Sequence, residues 1–265
     1  MIEHLLDEHA QKSAISHISP RTKLLLGLGT LVITLIAGSI LLPLIAAVSL
    51  SLVILCIARI PPGVYLRLLL IPAAFTLMSL LVILLLGGGG ETLWEFSPSS
   101  ALTLTITRES LSQAALIFSR VAGGVTSLLF ISLTTPFTDI IRVLNQCRVP
   151  REITDLMAIL YRNIFILLDQ ATQIHAAQVM RLGYSHPREA TESFGMLCGS
   201  LFISSWNAGD DLLRAMDCRC YDGEFAQLTP SEPVRARSLL PVILYLSLLA
   251  GLALISATDM IPGAI

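Results

Sequence analysis

Charged residues are what this chain has least of. Only 14% of its 265 residues are charged and 54% are hydrophobic, whereas soluble domains carry about a quarter charged residues. That shortage excludes an ordinary soluble globule and leaves a polytopic membrane protein as the class. Lysine occurs only at Lys12 and Lys23. Neither follows a glycine, so the chain lacks the Gly-rich loop ending in Lys-Ser/Thr that cradles nucleotide phosphates. A net charge of −2 gives no basic excess for nucleic acid. The five cysteines, Cys56, Cys147, Cys198, Cys218 and Cys220, are an odd set with no disulfide framework. The five histidines, His4, His9, His17, His175 and His186, show no metal-ligand spacing on an apolar helix. No catalytic residue, no metal site and no cofactor site is therefore assigned to this chain.

The apolar residues come in long runs. Residues 1–23 are polar and lack the apolar core of a signal peptide. From Leu24 to Ala58 there is no charge at all, too long a run for one crossing of about 20 residues. Pro43 is expected to divide it into helices over Leu24–Leu42 and Leu44–Ala58. Further runs cover Leu66–Leu86, Ser110–Leu133 and Ser238–Ala257. The reading is all-α, with about five transmembrane helices: four within 24–136 and a fifth in 238–265. Orientation follows from Arg and Lys in short loops. Lys12, Arg21, Lys23, Arg59, Arg67, Arg142, Arg148 and Arg151 fall on one side; Glu91, Glu95 and Glu109 face Arg108 on the other. The N-terminus is then cytoplasmic, and the loop at Gly87-Gly88-Gly89-Gly90 is outside.

Residues 137–237 carry more than half of the chain's charge and read as a cytoplasmic module inserted before the last span. Two amphipathic helices fill it. In the first, Ile153, Met157, Leu160, Ile164, Leu167, Ala171 and Ile174 repeat at four and three. It starts near Thr154, a candidate N-cap, and stops near Gly183 with Arg181 in its last turn. In the second, Leu197, Leu201, Ser205, Leu212 and Met216 repeat likewise, between Pro187 and Gly223, with Arg219 at its end. Basic residues favour helix C-termini by about 0.3–1 kcal/mol, which accounts for one such arginine. Two at matched ends point to more, because guanidinium is a rigid fork of five donors suited to a groove on a partner.

Cys218-Arg219-Cys220 could be a metal clip, a redox pair or a frame for its arginine. Structural zinc wants four ligands with spacing such as C-x2-C, and cytoplasmic thiols usually stay reduced. Arg120 falls inside an apolar run where a charge is costly and seeks protein or water. Backbone carbonyls or Asp169 are its expected partners. Asp210-Asp211 reads as a solvated helix edge.

The stretches "SLTTPFTDIIRVLNQCRVP" (Ser132–Pro150), "LMAILYRNIFILLDQ" (Leu156–Gln170), "AAQVMRLGY" (Ala176–Tyr184) and "RAMDCRCYDG" (Arg214–Gly223) resemble a known family. It is the transmembrane (T) component of energy-coupling factor transporters, in its cobalt/nickel-type, CbiQ-like branch. The resemblance implies a coupling-helix module with two three-residue motifs centred on arginine. Here they are Met180-Arg181-Leu182 and Cys218-Arg219-Cys220, docking on two cytoplasmic ABC-type ATPase subunits. It implies that Met157, Leu160, Ile164, Leu167, Leu201, Ser205 and Leu212 form the coupling-helix seam. It further implies a separate substrate-binding membrane subunit that selects cobalt or nickel, and a multi-pass place in the inner (cytoplasmic) membrane lipid. ATP-Mg belongs to the partner ATPases, with no cofactor on this chain, which is then not itself an enzyme. The family's motif commonly ends in glycine, where this sequence has Cys220; the helix is therefore expected to continue to Asp222-Gly223. The competing reading is a membrane-embedded enzyme, or a thiol-dependent metal-handling protein, using Cys218 and Cys220.

Overall fold

A computed structural model describes residues 19–86, 92–99, 102–147, 149–221 and 236–258. They pack as two units, one reaching Ile140 and resuming with the last helix, the other starting at Ile141. The first unit holds α1 (Pro20–Ile36), α2 (Leu41–Leu52, extended by a π-helical turn over Val53–Ile57) and α3 (Pro62–Leu86). An antiparallel hairpin follows, β1 (Thr92–Ser99) with β2 (Leu102–Thr107), and then α4 (Arg108–Thr134). The helix α5 (Phe137–Gln146) crosses the unit boundary. The second unit is built on α6 (Arg151–Met180) and α7 (Pro187–Cys218), and α8 (Ala236–Thr258) returns to the first.

The fold is helical, as the apolar runs dictate, with the hairpin as an addition. Its signal lies in Leu102-Thr103-Leu104-Thr105-Ile106-Thr107, which alternates with the period of a strand. By length and composition, α3 over Pro62–Leu84 and α4 can each cross a membrane; Leu41–Ile57 and Leu239–Leu254 are shorter apolar helices. The charge-free run does split in two, but not at Pro43. α1 stops at Ile36 and α2 starts at Leu41. Pro43 sits in the first turn of α2, where its missing N–H goes unused and its fixed φ already suits a helix. α3 starts at Pro62, a turn earlier than its apolar run suggests.

The core of the first unit gathers Leu50 and Ile54 of α2, Ala58 and Ile60 of the turn after it, Tyr65 of α3, and Phe130 and Leu133 of α4. Several polar groups inside it are paired within the bundle. Ser51 and Tyr65 share a hydrogen bond of 2.7 Å, and Ser49 meets Tyr245 to tie α2 to α8. Thr107 and Ser110 close a reciprocal capping box at the start of α4. Arg120 finds its partner in backbone: Nε and Nη2 both donate to the Ala37 carbonyl, at 3.0 and 2.7 Å. That carbonyl is at the C-cap of α1, where helices leave oxygens unpaired. Asp169 belongs to the other unit and is not needed to explain the charge.

Candidate functional site

The second unit is a pair of long helices whose ends are built alike. α6 does not begin at Thr154. Its N-cap is Pro150, and the Thr154 hydroxyl donates back to the Arg151 carbonyl at 2.9 Å from inside the first turn. Pro150 lies at φ −50°, ψ 135°, and its carbonyl already accepts from the Ile153 and Thr154 N–H groups at 3.1 and 3.4 Å, which opens the helix a turn before Thr154. Pro187 opens α7 as its first residue. Arg148 and Asp222-Gly223 lie outside the described residues.

Each helix stops on its arginine. Arg181 is the C-cap of α6 at φ −91°, ψ 13°, and Arg219 is the C-cap of α7 at φ −97°, ψ 11°. The next residue is left-handed in both, Leu182 at φ 60° and Cys220 at φ 53°. The hydrogen bonds match as well. Gly183 N–H donates to the Gln178 carbonyl at 2.9 Å and Leu182 N–H to Val179 at 3.0 Å; Tyr221 N–H donates to Met216 at 3.1 Å and Cys220 N–H to Asp217 at 3.0 Å. These are two Schellman motifs, with the left-handed position that glycine usually fills taken by leucine and by cysteine. The expectation that Cys220 would let α7 run on to Asp222-Gly223 is therefore corrected. The helix ends at Cys218, because two well-made terminal hydrogen bonds outweigh the roughly 1 kcal/mol that a side chain costs in this conformation.

The geometry sets each arginine at a sharp stop, exposed, between two side chains that also face outward. Met180 is 87% and Leu182 73% exposed, and Cys218 and Cys220 are exposed free thiols. The first motif is braced from α7. Gln178 donates to the Ser193 carbonyl at 2.8 Å and accepts from the Tyr184 hydroxyl at 2.9 Å, while Ser193 Oγ donates to the Gly183 carbonyl at 2.8 Å. The Tyr184 ring meets His175 edge-on at 4.8 Å. A Cβ at Gly183 would come within 2.5 Å of Ser193 Oγ, so only glycine allows this approach. Among the described residues no cluster of His, Cys, Asp or Glu could hold a metal ion.

The seam residues do not all behave alike. Met157, Leu167, Leu201 and Leu212 are half-buried, but Leu160, Ile164 and Ser205 are exposed. A second polar link between the helices is made one residue before Ser205, by Ser204, whose hydroxyl donates to Gln170 Oε1 at 2.8 Å. One residue is about 100° of helix rotation, which turns Ser205 off the contact. The apolar stripe is thus only partly covered within the unit, and Phe194, Phe202 and Trp206 also stand more than 60% exposed. The brace of Gln178, Ser193 and Gly183 was beyond sequence reasoning; its one signal is the glycine two residues past Arg181.

An apolar helical bundle interrupted by a charged two-helix insertion has the build of a membrane transport subunit. The family model CbiQ, described as "Cobalt transport protein", matches residues 11–230, and the chain belongs to that family. It is 40% identical over 250 residues to the "Putative fused cobalt transport protein CbiMQ" of Methanocorpusculum labreanum, matching 94% of this chain and 42% of that one, so it spans less than half of that relative's length. It is 27% identical over 225 residues to the "Cobalt transport protein CbiQ" of Salmonella typhimurium, covering 83% of this chain and 98% of the other. It is 29% identical over 226 residues to the "Energy-coupling factor transporter transmembrane protein EcfT" of Acidaminococcus fermentans, with 80% of each covered.

Proposed function

We propose that this chain is the transmembrane scaffold through which two cytoplasmic ABC-type ATPase subunits drive uptake of a transition-metal ion, cobalt or nickel. The ion is selected by a separate substrate-binding membrane subunit. The observation that carries the reading is the duplicated helix end. Two arginines in the same capping geometry, on two helices of one unit, are what two copies of one partner require. The charge bias of the loops supports five spans, a cytoplasmic N-terminus and a cytoplasmic coupling module over 137–237. The names of the fused relative and of the energy-coupling factor relative support a membrane partner and an energised transporter. ATP-Mg is bound and hydrolysed on the partners. Their closing and opening moves the docked helix ends, and α6 and α7 transmit that movement by rigid-body or shear displacement of packed helices. Their uncovered apolar residues suit a further protein surface.

The test is retention of the ATPases. Arg181→Ala combined with Arg219→Ala leaves partner acceptors unpaired, at about 2–5 kcal/mol for each docked charge. The double variant is expected in the membrane at normal abundance, without its ATPases and without transport. Normal recovery of the ATPases with this variant returns both arginines to the role of dipole neutralisers.

A further inference from the structure

α1 and α4 run antiparallel along a seam spaced four and three. Lys23, Gly27, Thr30, Thr34 and Ala37 are its side on α1, all on the buried face of that helix or at its C-cap. Arg120, Gly123, Ser127, Phe130 and Thr134 are its side on α4. Three polar rungs cross it, one heptad apart on both helices. Lys23 Nζ donates to the Thr134 carbonyl at 3.0 Å. Thr30 Oγ1 and Ser127 Oγ are 3.1 Å apart. Arg120 donates twice to the Ala37 carbonyl. The outer rungs are reciprocal: the cation of each helix caps the C-terminal carbonyl of the other, at the negative end of its dipole.

No neighbouring register satisfies this set. A slip of one turn would break all three rungs and take both cations off the terminal carbonyls they cap, a costly outcome for polar groups in an apolar bundle. The glycines enforce the same register sterically. A Cβ at Gly123 would lie 3.0 Å from both the Pro43 carbonyl and Thr34 Cγ2, and one at Gly27 would run into Ile131. By contrast, α3 is less covered within the bundle, with 6% of its apolar window buried against 33% for α4.

We propose that α1 and α4 form one rigid strut of the transporter, riveted by these rungs, with Lys23 and Arg120 as positioning residues that preserve its register. Movement reaching the C-terminal end of α4 carries α1 with it, and the other helices of the bundle shift around the pair. The inference rests on the transporter reading above.

The test uses the complete complex in proteoliposomes, with its ATPases and metal-binding subunit, and Co2+ as the probe. Thr30→Cys with Ser127→Cys is oxidised to a disulfide, with wild type oxidised in parallel as the control for the native cysteines. A strut that moves as one body is expected to import Co2+ within about twofold of its reduced form, since a crosslink inside a rigid pair removes no needed motion. Loss of uptake on oxidation, recovered on reduction, overturns the proposal, and so does failure of the disulfide to form. Arg120→Leu is expected to keep its ATPases and hydrolyse ATP, yet import about fivefold less Co2+ per ATP or lower still, the small end of coupling between linked sites. Arg120→Lys is expected to regain part of that ratio. An unchanged ratio with only less protein in the membrane assigns Arg120 a structural role alone and overturns it. Wild type that imports no Co2+ with ATP instead refutes the underlying function, an outcome distinct from all of these.

Discussion

Leu182 and Cys220 hold the same left-handed backbone, φ 60° and 53°, each one residue past a capping arginine. Both pay the steric cost that glycine avoids, and both are held there by matching pairs of terminal hydrogen bonds. Replacing either with glycine should stabilise its helix end by about 1 kcal/mol. A β-branched valine should weaken it by ~1–2 kcal/mol. Hydrogen exchange at the Gly183 and Tyr221 amides reads the difference directly. Equal protection in the glycine and valine variants would remove the conformation from the account.

Lysine separates the two readings of the arginines. If they serve only the helix dipoles, Arg181→Lys and Arg219→Lys should behave as wild type, because any cation suffices. If they dock as planar forks, lysine supplies a point charge without the paired donors. Each single replacement should then weaken ATPase binding about tenfold, equivalent to ~1.4 kcal/mol. Titration of the purified ATPase onto the variants measures it.

Gly183→Ala should be costly although alanine favours helices. Its methyl would collide with Ser193 Oγ and break the bond to the Gly183 carbonyl. Overpacking of this kind costs about 1–3 kcal/mol. Adding Ser193→Ala removes the oxygen in the way and should restore part of the loss. A double variant less stable than the single one by thermal unfolding would contradict that contact.

Thr135 is buried at 3% exposure, and among the described residues its Oγ1 is the buried side-chain polar atom without a hydrogen-bond partner. Thr135→Val keeps the shape and removes the hydroxyl. It should raise stability by about 1 kcal/mol, part of the cost of an unpaired buried polar group. A fall in melting temperature would mean that the hydroxyl finds a partner in the assembled complex.

The loop charges imply a topology that thiol labelling checks. A cysteine at Glu95 should react with an impermeant reagent from outside the cell, and one at Glu189 should not. The reverse pattern would place both arginines on the wrong side of the membrane for cytoplasmic ATPases.

Much of this was legible in the chain because it was local. The three-and-four spacing of Met157, Leu160, Ile164 and Leu167, with the similar repeat through Leu197, Leu201 and Ser205, announces two amphipathic helices, and Pro187 marks where the second begins. Arg181 and Arg219 stand out because little else follows those helices in the same way. The break before Leu41 was misplaced at Pro43 because its cause lies elsewhere: the carbonyl that ends α1 is met by Arg120, 83 residues on. The strut was hidden for the same reason. Lys23 looks like the end of the polar N-terminal segment, and Thr30 and Ala37 like any small residues of an apolar run, until Thr134, Ser127 and Arg120 are set against them. Cys220 concealed its conformation because nothing beside it distinguishes a cysteine that must be left-handed from one that extends a helix.

The Arg120–Ala37 contact also bears on the membrane itself. α1 has 17 residues and α4 has 27, about 25 Å against about 40 Å at 1.5 Å per residue. A helix end normally needs water or a cap for its last carbonyls, and hydrocarbon offers neither. By bringing a guanidinium from the middle of α4, the bundle lets α1 stop beside that midpoint with its C-cap 1% exposed. One flank is then shorter than a hydrocarbon layer of about 30 Å while its neighbour exceeds it. On the five-span reading proposed above, a mismatch of this kind is met by bilayer thinning, snorkelling flanks or packing against another helix, so activity is expected to depend on acyl-chain length.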